Sequence, residues 1–524
     1  MRGTFGAVIA AAVLATARDP LGAQAPRASA PPAPDAPFTL DRALALALAR
    51  SPDILAGRQA HRAAEGALLA AHAPFDVQLG AELANTRDVA RQAITSGATP
   101  PIVRTEATTY ALTMSRRMRN GLAVTSDVAL ARSAASVSAV TGTPLNRSSA
   151  EVGLIVPLRR GRGGDNIYTA SEQSAAITLD AAALDARQAV ARAVRGAVFA
   201  YWEYRGAHDR LAVYEEGERR AERMVNETRA LVEADERPPS DLLQVRSNLA
   251  SKQATRIAAE QTLVERRQQL GLQLGLDAEQ IDALAAAATA LPGIVDSAAA
   301  DEAALLRDVE RRRADLSAAR LRLRAADRLR VGADQSMQSQ VDLSFNVGYA
   351  ASVMGASVVA PIYQNVPGLN AAVRLSYGLP VANWYARGQA IQVRAQAEQS
   401  EIALDALARA VAADTRVAWS GVQSTRLAMV RAQEAVSLAR EAVSASAERF
   451  RLGVSTLFDV MLAEDALTQA LLGDVGARGR YAASLAQLRF ETGTILDAGD
   501  SPAGQPTTDA ARFVRLCTAG DRCN

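Results

Sequence analysis

Histidines and cysteines are the residues of this chain that could hold a metal ion. The histidines are His61, His72 and His208, and the first two are spaced to share one face of a predicted helix. Neither a cysteine nor a cluster of carboxylates lies near them in the sequence to complete a tetrahedral ligand set. The sequence therefore predicts no metal centre.

One glycine-rich turn stands where a phosphate-binding loop could stand. Gly161-Arg162-Gly163-Gly164 follows a predicted strand and precedes a predicted helix. Its glycines do not have the spacing of the dinucleotide-binding or P-loop motifs, and the chain shows no G-x-S-x-G nucleophile elbow. We interpret the segment as a strand-to-helix turn, and we predict that the chain is not an enzyme and needs no cofactor.

Two aspartates occupy matching places in a repeated pattern. Asp241 and Asp459 lie 218 residues apart, each just after a break between two long helical segments. The same offset relates two further pairs, Leu270 with Leu488 and Gly275 with Gly493. Aspartate at the start of a helix is a good N-cap. A capping role for Asp459 is therefore one structural interpretation of this position.

The helical segments on either side of Asp459 are unusually long. From Gln389 to Leu452 there is no proline and one glycine, and strong helix formers predominate. A helix of this length would extend about 95 Å. An apolar position recurs every seven residues, at Val422, Met429, Val436, Val443 and Phe450. This spacing predicts a long antiparallel coiled-coil hairpin.

Between the helical segments, apolar and polar residues alternate as in strands with two different faces. The segments around Val77–Leu83, Tyr110–Met114, Val124–Leu130 and Val152–Leu158 have this pattern. Asn120-Gly121 is a strong hairpin-turn signal between two of them. The sequence leaves open whether this hairpin lengthens a loop or adds strands to the sheet.

The order of helix, strands and long helical hairpin then recurs. Ala314-Asp315-Leu316 matches Pro52-Asp53-Ile54 at an offset of 262, and alternating strands follow it. The chain is therefore predicted to be an internal duplication. The predicted segments are a signal peptide (1–25), a Pro/Ala-rich linker (26–37), a first repeat (38–275), a connector (276–310), a second repeat (311–493) and a tail (494–524).

Composition and the N-terminus indicate an exported protein. The formal net charge of the 524-residue chain is +2, which gives no reason to expect nucleic-acid binding. An apolar run from Phe5 to Ala17 precedes the A-x-A site Ala23-Gln24-Ala25, as in a cleaved secretory signal. Cys517 and Cys523 lie in the tail, and the sequence leaves open whether they form a disulfide or have no role there.

Physical limits narrow what such an exported chain can be. Each half has only a few two-faced strands, too few for a core of their own. In a bilayer an open sheet edge is prohibitively costly, so the strands must close into a barrel. Several copies of the chain could close one together, with their heptad helices packed into a continuous tube.

Four motifs stand in a fixed order along the chain. They are Leu40-Asp41-Arg42-Ala43-Leu44 with Ala47 and Ser51-Pro52, Val156-Pro157-Leu158-Arg159-Arg160-Gly161, Gly378-Leu379-Pro380, and the tip from Arg449 to Asp459. With these motifs the chain resembles the TolC-like outer-membrane channel (outer-membrane efflux protein) family over nearly its full mature length. Each motif alone is of moderate specificity. Their fixed order and their duplication make the resemblance strong.

The resemblance implies an α+β membrane protein that works as a homotrimer. Three copies would form one twelve-stranded β-barrel in outer-membrane lipid and an α-helical tunnel in the periplasm. The tunnel would dock on a periplasmic adaptor (membrane fusion) protein, which links it to an inner-membrane transporter. The implied function is a passive exit duct for efflux or type I secretion. A periplasmic adaptor or a coiled-coil scaffold without a pore is the alternative.

The resemblance also assigns roles to residues at the tips. Asp459 and Asp241 fall at pore-constriction positions, where a carboxylate ring would favour cations. The adaptor-docking positions are Phe450, Leu452, Gly453, Val454 and Ser455. Three positions depart from some members of the family, namely Leu462 in place of a second acid, Phe450 in place of Tyr and Ser455 in place of Arg. The first tip has two prolines between Asp235 and Ser240 where a glycine turn is expected.

Overall fold

The first half of the chain contains a pair of short helices, a group of strands and a long helical hairpin. The computed structural model describes residues 37–91, 102–137, 140–294, 302–355, 357–363 and 368–496. The predicted signal peptide, nearly all of the linker, and Cys517 and Cys523 lie outside these residues. The first-half elements are α1 (Leu40–Arg50), α2 (Pro52–His72), β1 (Gln78–Arg91), β2 (Ile102–Arg117), β3 (Ala123–Val137), the short β4 (Val140–Thr141), β5 (Leu145–Pro157), α3 (Ile167–Glu233) and α4 (Pro239–Leu274).

The second half repeats this order with fewer strands. Its elements follow a short α5 (Ala278–Asp282) and are α6 (Glu302–Arg312), α7 (Ala314–Ser336), β6 (Gln340–Met354), the short α8 (Ala360–Tyr363), β7 (Leu369–Gly378), α9 (Trp384–Arg451) and α10 (Leu457–Glu491). The duplication predicted from the sequence is confirmed. Because α6 takes the place in this series that α1 has in the first, we propose that the second repeat begins with α6.

The long helices lie side by side in two sets of four. Next to the sheet the neighbours are α2, α3, α7 and α9, in that order; toward the tips they are α4, α3, α10 and α9. α3 and α9 run through both sets, with 67 and 68 residues. Each therefore extends about 100 Å. The predicted heptad seam is buried at Val422, Met429 and Val436.

The largest apolar core lies where the short helices cross α3. Leu40 and Leu44 of α1 pack against Tyr201 and Trp202 of α3 and against Leu270 near the end of α4. The Tyr201 hydroxyl donates to the carbonyl of Phe38 at 3.0 Å and accepts from the amide of Thr289. This core fixes the ends of the first helical hairpin to the start of the repeat.

In the second repeat, a buried ion pair joins the end of the helical hairpin to the start of the repeat. Arg313, just before α7, contacts Glu491 at the end of α10, and their side chains are 7% and 5% exposed. Arg313 also contacts Asp315 at 2.6 Å. Its guanidinium lies 5.3 Å from the centre of the Phe490 ring, and the Arg195 guanidinium of α3 lies 4.1 Å from the centre of the same ring. Helices from both repeats therefore meet at one charged junction.

The strands form a single antiparallel sheet in the order β1-β2-β3-β5-β6-β7, with β4 paired to β3. The hairpin at Asn120-Gly121 therefore adds two full strands and does not lengthen a loop. The first half supplies four long strands and the second half two. The resemblance implied four strands from each copy of a twelve-stranded trimer, whereas this chain has six long strands. The number is larger because β2 and β3 pair along their whole length and so form two further strands of the sheet.

Candidate functional site

One face of the sheet is apolar and exposed. Strand register aligns the apolar positions of all six long strands on this face, for example Leu79 with Met114, Leu112 with Val128 and Phe345 with Val373. Its large exposed apolar residues are Leu79, Leu83, Tyr110, Leu112, Met114, Val128, Val152, Leu154, Phe345, Val347, Val373, Leu375 and Tyr377. An apolar surface this large is typical of an interaction with protein or membrane.

The opposite face of the sheet is polar. Thr113 lies opposite Asp127, and Ser344 lies opposite Arg374. Other polar residues on this face are Gln78, Glu82, Thr125, Glu151, Asn346 and Ser376. Because side chains alternate along a strand, the sheet offers an apolar surface on one side and a hydrophilic surface on the other.

The turn of the β2–β3 hairpin is fixed to the helices below the sheet. Arg119 Nε donates to both carboxylate oxygens of Glu172 on α3, and the same carboxylate lies 2.6 Å from Nδ1 of His72 on α2. The hydrogen bonds from Arg119 hold the pKa of Glu172 below its usual value, although burial opposes this effect. The Asn166 side-chain amide donates to the Arg119 carbonyl.

Backbone contacts hold the same turn close to the strand-to-helix junction. Gly121 has φ +92°, and a Cβ there would meet the Gly161 carbonyl oxygen at 2.0 Å. The Gly163 amide donates to the Asn120 carbonyl. The segment from Gly161 to Gly164 is thus a strand-to-helix turn that contacts the turn of the β2–β3 hairpin, in agreement with the interpretation drawn from its spacing.

At the second tip the chain reverses between α9 and α10. Gly453 has φ +75°, and the Val454 amide donates to the Arg449 carbonyl at 2.9 Å. Thr456 caps α10, and its amide and hydroxyl both donate to the Asp459 carboxylate, at 2.7 and 2.8 Å. The proposed N-cap role of Asp459 is therefore wrong, because Asp459 is the third helical residue and completes a capping box.

These hydrogen bonds determine the charge at the tip. Asp459 is exposed, and donation from the Thr456 backbone and hydroxyl lowers the pKa of its carboxyl. The carboxylate is therefore ionised at neutral pH. Asp241 is likewise the third residue of its helix, α4, and is half-buried.

The first tip makes the same turn without a glycine. Asp235 corresponds to Gly453 and has φ +60°. The Glu236 amide donates to the Leu231 carbonyl at 2.9 Å, which matches the bond from Val454 to Arg449. The two prolines therefore do not change the turn, because aspartate tolerates the left-handed conformation better than most residues.

The two tips pack against each other. Val225 and Val245 of the first hairpin form a cluster with Leu457 and Met461 of the second, and Phe450 lies against it. The Arg237 guanidinium stacks on the Phe450 ring, 4.6 Å from its centre. Of the five docking positions implied by the resemblance, Leu452, Gly453 and Val454 are exposed, whereas Phe450 and Ser455 are half-buried.

Sequence reasoning missed three residues at the tips. Arg237 packs on Phe450, Asp235 makes the first turn, and Thr456 caps α10. A signal for Thr456 was present, because a threonine three residues before an acid just ahead of an apolar run is a capping-box pattern. No local pattern marks Arg237, whose partner lies in the other hairpin.

The histidines are not gathered in one place. His61 lies 3.5 Å from Glu65 of its own helix, whereas His72 contacts Glu172. Within the ranges that the structure covers, no group of three or more His, Cys, Asp or Glu side chains could hold a metal ion. None of the helices in those ranges combines the length and the apolar character that a membrane span requires.

Comparison with known proteins relates this architecture to a set of solved channels. No family model and no curated protein matches the chain. Its structure is similar to the outer-membrane channel OprN, with 17% identity and a TM-score of 0.67 over 87% of this chain and 90% of that one. It is similar to VceC of Vibrio cholerae, with 16% identity and a TM-score of 0.63 over 87% and 96% of the two chains.

A third solved structure with the same architecture is the CmeC outer-membrane channel of Campylobacter jejuni. It is 14% identical to this chain, with a TM-score of 0.66 over 88% of this chain and 87% of that one. At such identities the similarity concerns the fold, which joins a two-faced antiparallel sheet to paired helical hairpins. The chain therefore has the TolC-like outer-membrane channel fold that its sequence predicts.

Proposed function

We propose that the chain is a trimeric outer-membrane channel and the exit duct of a tripartite efflux or type I secretion system. The observation that carries this proposal is the sheet, whose exposed apolar face suits lipid and whose polar face suits a water-filled lumen. Helices about 100 Å long continue from it. Such a protein would lie in the outer membrane with its helical tunnel in the periplasm.

The outer sides of the helices support assembly from several copies. α4 and α9 lie at the two margins of the tip-side set, and each exposes apolar residues on its outer side. These residues are Leu243, Ile257, Val264 and Leu272 on α4, and Val417, Leu427 and Leu438 on α9. In a trimer, α4 of one copy would pack against α9 of the next and remove these residues from water.

The duct would be a passive conduit with no catalytic step. An adaptor would dock on the exposed apolar residues Leu452 and Val454 beside the Gly453 turn. Asp459 and Asp241 would constrict the periplasmic end, where a ring of carboxylates from three copies attracts cations and repels anions. Two helical hairpins and six two-faced strands fit this role better than that of an adaptor, for which one hairpin and a small β-domain are expected.

Membrane fractionation and reconstitution would test this function. We expect the full chain in the outer-membrane fraction, as a trimer in detergent, and as cation-selective pores in a planar bilayer. Recovery only as a soluble monomer would overturn the channel and favour the scaffold. Asp459→Asn should reduce the cation preference, whereas the charge-conserving Asp459→Glu should retain it. Unchanged selectivity in Asp459→Asn would remove Asp459 from the constriction.

Docking at the tip has its own test. Gly453→Pro cannot adopt the φ of +75° at this turn, because proline fixes φ near −65°. We expect this variant to assemble as a trimer and to lose export, while Gly421→Ala within α9 leaves export unchanged. Normal export by the Gly453→Pro variant would contradict docking at this turn.

A further inference from the structure

The sheet has two free edges, and both are long. Within the described residues β1 pairs only with β2, and β7 only with β6. Almost every residue of β1 and all ten residues of β7 are exposed. A free strand edge leaves backbone N–H and C=O groups without partners, which a bilayer does not tolerate.

The β2–β3 hairpin belongs to the wall of this sheet. Its two strands have 16 and 15 residues, as long as their neighbours. Its apolar residues Leu112 and Val128 lie on the same face as Leu79 and Val152. The turn is anchored by Arg119 to the helices below. The hairpin therefore supplies two central strands of the sheet, and its removal would separate β1 from β5.

The sheet is already sheared as a closed barrel requires. The row of paired residues that starts at Gln78, the first residue of β1, passes through Ser115, Thr125, Gly153 and Asn346 and reaches Ala372 in β7. Ala372 lies six residues before Gly378, where β7 ends at the helices. A drop of six residues over five strand steps corresponds to a tilt of about 40°, inside the range of about 35–45° found in barrels.

The sheet and the helices of one copy also occupy similar widths. Six strands spaced by about 4.8 Å and tilted by about 40° cover about 38 Å of a barrel wall. Four helices packed at about 8–10 Å cover about 32–40 Å. One copy therefore contributes a similar arc to the wall of each tube, and the same number of copies can close both.

We propose that three copies close one barrel of eighteen strands, in which β7 of each copy pairs with β1 of the next. This inference rests on the proposed trimeric channel and adds the size and the seam of its membrane wall. β1 leads away from the helices and β7 returns to them, so the new pair is antiparallel like the other pairs in the sheet. The partner on each edge is thus a second copy of this chain.

The larger strand number widens the exit. Eighteen strands at this tilt enclose a backbone diameter of about 36 Å, against about 24 Å for twelve. Barrels of 16–18 strands leave an aqueous channel, and the polar face supplies its lining. The membrane wall would therefore not be the narrowest part of the duct, and solute size would be limited at the helical tips.

Cysteine pairing tests the seam directly. In the full chain with Cys517→Ser and Cys523→Ser, Glu82→Cys on β1 is combined with Ala372→Cys, Arg374→Cys or Ser376→Cys on β7, on the same polar face. If the helical ends of β1 and β7 are level, Glu82 lies opposite Arg374, and the other two cover a shift of two residues either way. We expect at least one combination to give covalent dimers and trimers on a non-reducing gel.

The matched control is Glu82→Cys with Glu151→Cys. Glu151 lies in β5, whose two neighbours both belong to its own copy, so this pair should not link copies. Equal linking of the control and the test pairs, or no linking in any test pair while the protein remains a trimer in the membrane, would overturn the seam.

Electron cryomicroscopy of the detergent-solubilised full chain tests the strand number. A threefold particle with eighteen strands is the expected result. A threefold particle with twelve strands, or a twofold particle closed by two copies, would overturn the inference. The threefold, twelve-stranded result would leave the proposed channel function intact, whereas monomers without a pore would overturn that function itself.

Discussion

The ion pair between Arg313 and Glu491 provides the sharpest test of how the repeats are held together. We predict that Arg313→Met strongly destabilises the protein, because it leaves the Glu491 carboxylate in a site where only 5% of the side chain is exposed. Gln487 still donates to this carboxylate at 2.7 Å, but the nearest full positive charge is lost. Removing one partner of such a pair costs about 3–5 kcal/mol.

The double variant Arg313→Met with Glu491→Leu should recover most of this loss. Replacing both members of a buried ion pair with apolar side chains of similar size is often neutral, because the desolvation cost of both charges disappears. Asp315, which also contacts Arg313, is 20% exposed and can be solvated in the double variant. We therefore expect the double variant to lie within about 1–2 kcal/mol of the parent protein.

Thermal unfolding followed by helical circular dichroism would measure these effects at one detergent and protein concentration. With an unfolding entropy of about 2.1 cal/mol/K per residue, a cooperative unit of this size has about 1 kcal/mol/K, so Arg313→Met should lower Tm by about 3–5 °C. The control is Arg431→Met, which removes an ion pair from a side chain that is 79% exposed. Its effect should stay below about 1 kcal/mol.

The pattern across the variants decides the outcome. If Arg313→Met unfolds at the same temperature as the control, the pair does not hold the second repeat together. If the double variant is as unstable as the single one, the loss comes from packing of the arginine stem and not from the unpaired charge.

Other predictions concern the tips and the hairpin turn. Gly453→Ala should destabilise the second tip turn by about 1 kcal/mol, whereas Asp235→Gly should not destabilise the first. Hydrogen exchange of the backbone amides that follow each turn would measure both effects. Equal destabilisation in the two variants would contradict the left-handed backbone conformation at Gly453 and Asp235. The pKa of Asp459 is lowered from 3.8 in the folded protein, so its carboxylate keeps its charge above pH 3.8 and loses it only as the pH falls through the lowered pKa. Cation preference measured in a planar bilayer should therefore decline only below pH 3.8. Because the pKa of Glu172 is lowered from 4.5, its bond to Arg119 stabilises the hairpin turn above that pH and weakens as the pH falls below it. Limited proteolysis should therefore cut the turn faster at acid pH. The Glu172→Gln variant, which lacks the charge, should be cut at the faster rate already at neutral pH.

The sequence alone predicted the helices, the strands and the duplication. Heptad spacing around Met429 and strict alternation around Phe345 are local patterns, because the α-helical and β-strand repeats recur every few residues along the chain. The tip at Gly453 was also found locally, since glycine is favoured where the backbone must adopt a positive φ. These features follow from short stretches of chain, whatever the rest of the molecule does.

Other features were decided only by tertiary structure. Whether the hairpin at Asn120-Gly121 adds strands depends on its pairing with β1 and β5, which lie on either side of it in the sheet but are separated from each other in sequence. Arg237 reaches Phe450, and Arg313 reaches Glu491, across more than a hundred residues of chain. An isolated arginine in the sequence looks like any solvated helix charge. Only tertiary packing buries Arg313 and selects the partner of each arginine.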